Sequence, residues 1–139
     1  MKQQRKSWLL AILLCSVAIT SIHYTDNAIY VDRYPEPAWI TTSGVFITWV
    51  IMTLIAAISY WLYSQQYFWW SYLLLGIYSI TGLSSPTHYI YGSMSQFSGK
   101  MHLFIWADAI AGLAVIDFVI RSALVKREWR NVDIKEIQE

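Results

Sequence analysis

Four apolar stretches alternate with polar segments along the chain, at about 8–27, 44–63, 68–84 and 102–125. The second stretch, Gly44–Tyr63, contains no charged residue. As a helix rising about 1.5 Å per residue it would be about 30 Å long, which matches the hydrocarbon core of a bilayer. The pattern therefore predicts an all-α fold in which residues 1–139 form a single domain, an integral membrane, antiparallel four-helix bundle.

The first apolar stretch follows the basic segment 1–7, so it could be a secretory signal peptide or a retained signal anchor. Polar residues recur within it at steps of four, three and four, which puts one polar stripe on an otherwise apolar helix. The stripe consists of Ser16, Thr20, His23 and Asn27. A cleaved signal peptide has no need of such a stripe, whereas a helix packed in a bundle does. We therefore expect this helix to be retained.

Aromatic residues cluster around the connection between the second and third stretches. They are Tyr60, Trp61, Tyr63, Tyr67, Phe68, Trp69 and Trp70. Aromatic side chains concentrate at the membrane–water interface, so this cluster is typical of an aromatic belt. The connection itself, Ser64–Gln66, is long enough only for an antiparallel hairpin.

The third stretch contains two glycines, Gly76 and Gly82, which predict a close approach to another helix. Pro86 is expected to end this helix because proline cannot continue the backbone hydrogen bonds of a helix. The segment 87–100 has little hydrophobic periodicity and several glycine, serine and threonine residues. That composition predicts a loop.

Lysine and arginine set the orientation of membrane helices, because the short flanking segments are more basic on the cytoplasmic side. The segment 1–7 contains three such residues and the segment 126–139 contains four, whereas the loops 25–43 and 85–101 contain one each. This distribution predicts that both termini are cytoplasmic and that 126–139 is a solvated tail. We expect the protein to reside in a plasma or inner membrane.

Composition narrows the range of partners. Hydrophobic residues make up 56% of the chain and charged residues 14%, against about 25% charged residues in soluble domains. The net charge of +1 argues against a nucleic-acid partner, since phosphate-binding domains are strongly basic. The single cysteine, Cys15, allows neither an internal disulfide nor a cysteine-rich metal site. The expected partner is the lipid bilayer, with a homo-oligomer or a larger membrane complex as further alternatives.

The predicted orientation brings all three histidines to the non-cytoplasmic end of the bundle. His23, Asp26 and Asn27 share one face if the first helix continues that far, since they are three and four residues apart. His88 follows the third stretch and His102 opens the fourth. Three imidazoles and the Asp26 carboxylate would complete a four-coordinate shell for zinc or copper. Alternatively, each histidine lies in the headgroup region as an amphipathic ring.

Asp108 lies about six residues inside the fourth stretch, which is about 9 Å deep in a helix. A carboxylate in a membrane costs about 2.5–3.5 kcal/mol on insertion scales, so it needs either a partner from another helix or a proton. Ala111 and Gly112 share its face, which favours contact with a helix rather than with lipid. Its candidate partners are His23, Asn27, Tyr78 and Ser79. The polar residues expected to support the site are Thr20, Asn27, Ser79 and Asp108.

Three functions fit these residues. In the first, the His/Asp pocket binds a metal ion or a small polar ligand. In the second, the protein is a structural or accessory subunit of a larger membrane complex, and its polar residues tie helices together. In the third, it is a membrane-embedded hydrolase in which a metal-bound water attacks a lipid-like substrate. The sequence contains no compact metal-binding signature such as H-E-x-x-H, so it does not decide whether the protein is an enzyme.

Overall fold

The computed structural model describes residues 2–130, and all regular secondary structure in that part of the chain is helical. The elements are four long helices, α1 (Lys2–Ile29), α2 (Thr42–Ser64), α3 (Phe68–Ser84) and α5 (Gly99–Ile120), and one short helix, α4 (His88–Tyr91). A π-helical turn, Arg121–Val125, follows α5 directly. The structure thus confirms the all-α fold that the sequence predicts.

Three helical segments are long and apolar enough to cross a membrane, namely Gln3–Ile29, Thr42–Ser64 and Gly99–Val125. The helix α3 has 17 residues, which corresponds to about 26 Å, and its bounds coincide with those of the third apolar stretch. Thr41 and Ser98 cap α2 and α5, since each side chain accepts a hydrogen bond from a first-turn amide. These caps fix where two of the long helices begin.

Each long helix packs against two others, so that the four form a closed ring in the order α1, α2, α3, α5. The interior of the ring is apolar at Leu9, Leu75 and Val115, whose side chains are fully buried. The outside carries large exposed apolar side chains such as Leu54 and Ile110. Hydrocarbon suits such a surface, whereas soluble monomers rarely expose contiguous apolar patches of this kind.

The helices α3 and α5 approach each other most closely at a pair of glycines. A Cβ atom on Gly82 would overlap the backbone carbonyl of Asp108, and one on Gly112 would lie 2.9 Å from the backbone oxygen of Ser79. The close approach expected at Gly82 is therefore confirmed. The expectation is wrong for Gly76, because a Cβ there would meet no atom of the described chain within 4 Å.

The segment between α3 and α5 is more ordered than the sequence predicts. As expected, α3 ends before Pro86, which lies in a 3₁₀ turn at Ser85–Thr87. The helix α4 and a second 3₁₀ turn, Met94–Gln96, occupy much of the predicted loop 87–100. That second turn is stabilised by reciprocal hydrogen bonds between its cap, Ser93, and Gln96. A single helical turn is too short to show the periodicity of an amphipathic helix, so these elements leave no periodic pattern in the sequence.

Polar contacts close the end of the bundle at which α1 begins. Arg5 Nε donates to Glu128 Oε1 over 2.8 Å, and the Arg5 guanidinium also donates to Ser122 Oγ. The Tyr63 hydroxyl donates to the other oxygen of Glu128 over 2.5 Å. Glu128 belongs to the segment 126–139, which the sequence predicts to be a solvated tail. Its remaining part, 131–139, lies outside the described residues.

Candidate functional site

The polar stripe of α1 faces the interior of the bundle. Ser16, Thr20, His23 and Asn27 are all buried. The hydroxyl oxygens of Ser16 and Tyr78 lie 2.9 Å apart, and Thr20 Oγ1 donates to the backbone of its own helix. The hydroxyl groups of Ser16 and Thr20 therefore have hydrogen-bond partners within the bundle. The other two residues of the stripe, His23 and Asn27, lie nearer the C-terminal end of α1.

The carboxylate of Asp108, on α5, joins three segments. The residue is fully buried, and its Oδ2 accepts a hydrogen bond of 2.7 Å from Ser85 Oγ. The same oxygen lies 3.0 Å from His23 Nδ1. Of the candidate partners of Asp108, His23 is therefore the one in contact with its carboxylate. Ser85, which the sequence did not indicate, is a second partner. Ser79, another candidate partner, is also buried but donates to the backbone oxygen of Gly76.

This contact sets the chemistry of the His23 ring. A carboxylate accepts hydrogen bonds, so Nδ1 donates its hydrogen to Asp108. The tautomer with hydrogen on Nδ1 keeps a lone pair on Nε2. In the neutral ring, His23 Nε2 is therefore a hydrogen-bond acceptor, and the contact of Nδ1 with the buried carboxylate fixes its direction.

A cavity of about 390 Å³ lies beside this pair, between α1, α2, the end of α3 and the segment that joins α1 to α2. Polar and aromatic side chains line much of it, including His23, Tyr24, Asn27, Glu36, Trp39, Thr48, Ser85, His88 and Tyr91. Pro37, Ile40 and Val45 add apolar surface. The cavity thus combines an apolar wall with a small set of polar groups, as small-molecule sites do.

Three residues that line the cavity each carry a buried polar atom that makes no hydrogen bond with any residue of 2–130. These atoms are His23 Nε2, Asn27 Oδ1 and Glu36 Oε1, and we call them the open acceptors. Asn27 Nδ2 donates to the other oxygen of Glu36 over 3.4 Å, which ties the two side chains together. Burial raises the pKa of Glu36, while the bond from Asn27 and the proximity of His23 act in the opposite direction.

His88, on α4, completes one side of the site. Its ring centroid lies 5.9 Å from that of His23 and 5.6 Å from that of Tyr34. Burial lowers the pKa of His88, as does the neighbouring His23, whereas the Pro35 backbone and Asp108 raise it. With its pKa below 6.5, His88 is a neutral imidazole at pH 7.

Asp26 and His102 lie in neighbouring contacts instead. Asp26 accepts a hydrogen bond of 2.8 Å from the Tyr34 hydroxyl and another from Lys100 Nζ. His102 Nδ1 lies 2.7 Å from the hydroxyl of Tyr89, and the described ring contacts of His102 are with Tyr89 and Phe97 rather than with His23 or His88. These contacts tie the segment after α1 and the helix α4 to the start of α5.

The four predicted metal ligands are therefore divided. His23 and His88 line the cavity, whereas Asp26 and His102 do not. Within residues 2–130 there is no group of three or more histidine, cysteine, aspartate or glutamate side chains placed to hold a metal ion. The described residues give the zinc or copper prediction no support.

Sequence reasoning missed two residues of the site, Glu36 and Ser85. Glu36 lies between Pro35 and Pro37, in a polar connection where a charged residue is ordinary. A signal was present nevertheless, because Glu36 is the only aspartate, glutamate, lysine or arginine between Arg33 and Lys100. Ser85 has no comparable signal, since serine is common in this chain.

Comparison with protein-family models, with curated proteins and with solved structures finds no match to this chain. The fold and the site therefore assign the protein to a structural class rather than to a family. The protein is all-helical over its described residues, and three of its helices are long and apolar enough to cross a membrane.

Proposed function

We propose that the protein is an integral membrane protein whose four long helices cross the bilayer in alternating directions, with both termini in the cytoplasm. Three helices have the length and apolarity for a crossing. The short connection from α2 to α3 supports a reversal of direction there, and exposed Trp61, Trp69 and Trp70 around it suit a membrane interface. The excess of lysine and arginine in the terminal segments supports the orientation.

In this arrangement the cavity lies at the non-cytoplasmic end, and it binds a small ligand. The open acceptors carry this proposal. A buried polar atom without a hydrogen bond costs about 1–3 kcal/mol, and native proteins contain few of them. Three such atoms belong to residues that line one cavity, and a ligand that donates hydrogen bonds to them would remove this cost. The apolar wall, which includes Val45, gives such a ligand a place for an apolar body.

The Asp108–His23 pair has a positioning role in this function. It holds the His23 ring so that Nε2 stays an acceptor, and Ser85 fixes the carboxylate from the other side. Because Asp108 is fully buried and does not line the cavity, it acts on the ligand through His23.

The experiment measures binding to the detergent-purified protein by the quenching of tryptophan fluorescence, since Trp39 lines the cavity. The probes are 4-phenylbutanol, 4-phenylbutylamine and 4-phenylbutyrate, which share one apolar body and differ only in the polar head. We expect saturable binding of at least one probe. Thr48→Phe, which places a large side chain in the cavity and leaves His23, Asn27 and Glu36 in place, should abolish it.

Thr53→Phe is the matched control, because Thr53 lies on the same helix but does not line the cavity. It should bind the probes as the wild type does. The ligand-binding proposal fails if no probe shows saturable binding, or if Thr48→Phe binds as well as Thr53→Phe.

The alternative of a structural or accessory subunit gives a different outcome in the same preparation. The chain would then co-purify with a larger membrane complex or as a homo-oligomer, and Thr48→Phe would weaken that association rather than probe binding. The described part of the chain gives the metal-assisted hydrolase no support, because it contains no group of three or more metal-binding side chains placed to hold an ion.

A further inference from the structure

We propose that the cavity is selective for organic cations, that is, for a protonated amine attached to an apolar body. This inference rests on the proposed function, since it names the class of ligand that the same cavity takes. Three features of the cavity favour such a ligand: the charge of its lining, the kind of hydrogen bond that is open, and the aromatic side chains in its wall.

The charge of the lining favours a cation. Glu36 is its only carboxyl group, and no lysine or arginine of the described chain lines the cavity. The two cations in the adjacent segments are engaged elsewhere: the Arg33 guanidinium lies over the Tyr30 ring, and Lys100 is paired with Asp26. An anionic ligand would therefore meet a carboxylate with no positive charge beside it in the lining.

The histidines do not reverse this balance at neutral pH. His88 is neutral there because burial lowers its pKa. The neutral form of the His23 ring, the one in which Nδ1 donates to Asp108 and Nε2 accepts, adds no positive charge either. The site as a whole thus remains neutral to negative.

The open hydrogen bonds also favour a cation. His23 Nε2, Asn27 Oδ1 and Glu36 Oε1 all accept, and the amide group of Asn27 already donates to Glu36. A primary ammonium presents three N–H donors and no acceptor, whereas a hydroxyl presents a single donor. An alcohol would leave at least two open acceptors unsatisfied.

Aromatic rings supply the third feature. Trp39, Tyr24 and Tyr91 line the cavity together with Glu36. Tryptophan and tyrosine faces attract an ammonium group, at about 0.5–1 kcal/mol when exposed and about 2 kcal/mol when desolvated. A carboxylate and aromatic faces together attract a protonated amine. They give no comparable advantage to a neutral polar group such as a hydroxyl.

The test compares dissociation constants for the three phenylbutyl probes in detergent-purified protein. We expect 4-phenylbutylamine to bind at least tenfold more tightly than 4-phenylbutanol, and 4-phenylbutyrate to bind weakest. Glu36→Gln keeps the size of the side chain and an oxygen that accepts from Asn27, but it removes the charge and replaces the open Oε1 by an amide nitrogen. It should weaken amine binding at least tenfold and leave alcohol binding within about twofold.

Asp32→Asn is the matched control, since it removes a carboxylate from the same connecting segment outside the cavity. It should leave all three constants unchanged. If the alcohol binds as tightly as the amine, or Glu36→Gln weakens both equally, the cation inference is wrong while the ligand-binding proposal stands. If none of the probes binds, both are wrong.

Discussion

Asp108 connects α5 to α1 and to the end of α3 through a single carboxylate oxygen. Its two donors, His23 and Ser85, are themselves buried. Removal of the acceptor therefore leaves two buried donors unsatisfied, which is more costly than the loss of an exposed ion pair.

Asp108→Ala should lower the free energy of unfolding by about 1–3 kcal/mol, because each stranded donor loses its hydrogen bond in a buried environment. Asp117→Ala is the control on the same helix. Its partner, Arg121, is exposed and pairs with it one helical turn away, so that this loss should be only about 0.3–0.5 kcal/mol. Chemical denaturation in detergent measures both, and equal losses would contradict the role given to Asp108.

Glu36 gives a prediction for the pH dependence of stability. Burial raises its pKa above the usual value of 4.5, so the folded protein binds this proton more tightly than the unfolded chain. Its contribution to stability is therefore fully present below pH 4.5 and is lost as the pH rises through the folded-state pKa. Glu36→Gln should be more thermostable than the wild type at pH 7.

The check is the difference in melting temperature between the variant and the wild type, measured from pH 4 to pH 8 without ligand. The difference should grow as the pH rises above 4.5. If the difference in melting temperature is constant over this range, the charge of Glu36 does not contribute to the stability of the folded protein.

Asp108 and Glu36 also differ in whether their roles could be predicted from the sequence. Asp108 is identifiable because a carboxylate inside an apolar helix is expensive wherever it lies. Glu36 lies in a polar connection, where charge is ordinary, and its burial results from the packing of that connection over the cavity. Such a long-range contact leaves no local pattern.

The contact between α3 and α5 has the geometry of a small-residue helix pair, with Gly82 and Gly112 at the closest point. It brings the Asp108 backbone against α3 and so seats the carboxylate beside Ser85. Glycine is required at position 82 because backbone atoms, which cannot rotate away, occupy the space that a side chain would need.

Gly82→Ala should therefore destabilise the protein by about 1–3 kcal/mol, as overpacking of a tight contact does. Gly76→Ala is its control on the same helix, because a Cβ there meets no described atom within 4 Å. Alanine favours a helix over glycine by about 1 kcal/mol, so Gly76→Ala should be neutral or stabilising. Thermal unfolding separates the two, and a more stable Gly82→Ala would contradict the close contact.

Helix positions were largely accessible from the sequence, whereas helix partners were not. The aromatic cluster before Phe68 and the proline at 86 bracket α3, so its bounds follow from local signals. Gly76 and Gly82 look alike in the sequence, yet only Gly82 meets another helix. Which face of α3 meets α5 is decided by the packing of the whole ring.

The described residues, 2–130, form a ring of four long helices with a different polar cluster at each end. Arg5, Tyr63 and Glu128 meet at the end where α1 begins, and the cavity with its open acceptors lies at the end where α1 finishes. The apolar pattern, which is local, indicates the helices. The cavity depends on the order of the helices in the ring, which no single stretch encodes.

Sidedness of the two ends is the most direct test, because the proposed function needs the cavity on the side opposite the basic termini. Single cysteines are introduced as Asp32→Cys, between α1 and α2, and Gln65→Cys, between α2 and α3, in a Cys15→Ser background. A membrane-impermeant maleimide is added to sealed right-side-out vesicles. We expect labelling of Asp32→Cys at once and of Gln65→Cys only after permeabilisation. Labelling of both before permeabilisation, or of Gln65→Cys alone, would mean that the cavity does not lie on the side opposite the termini.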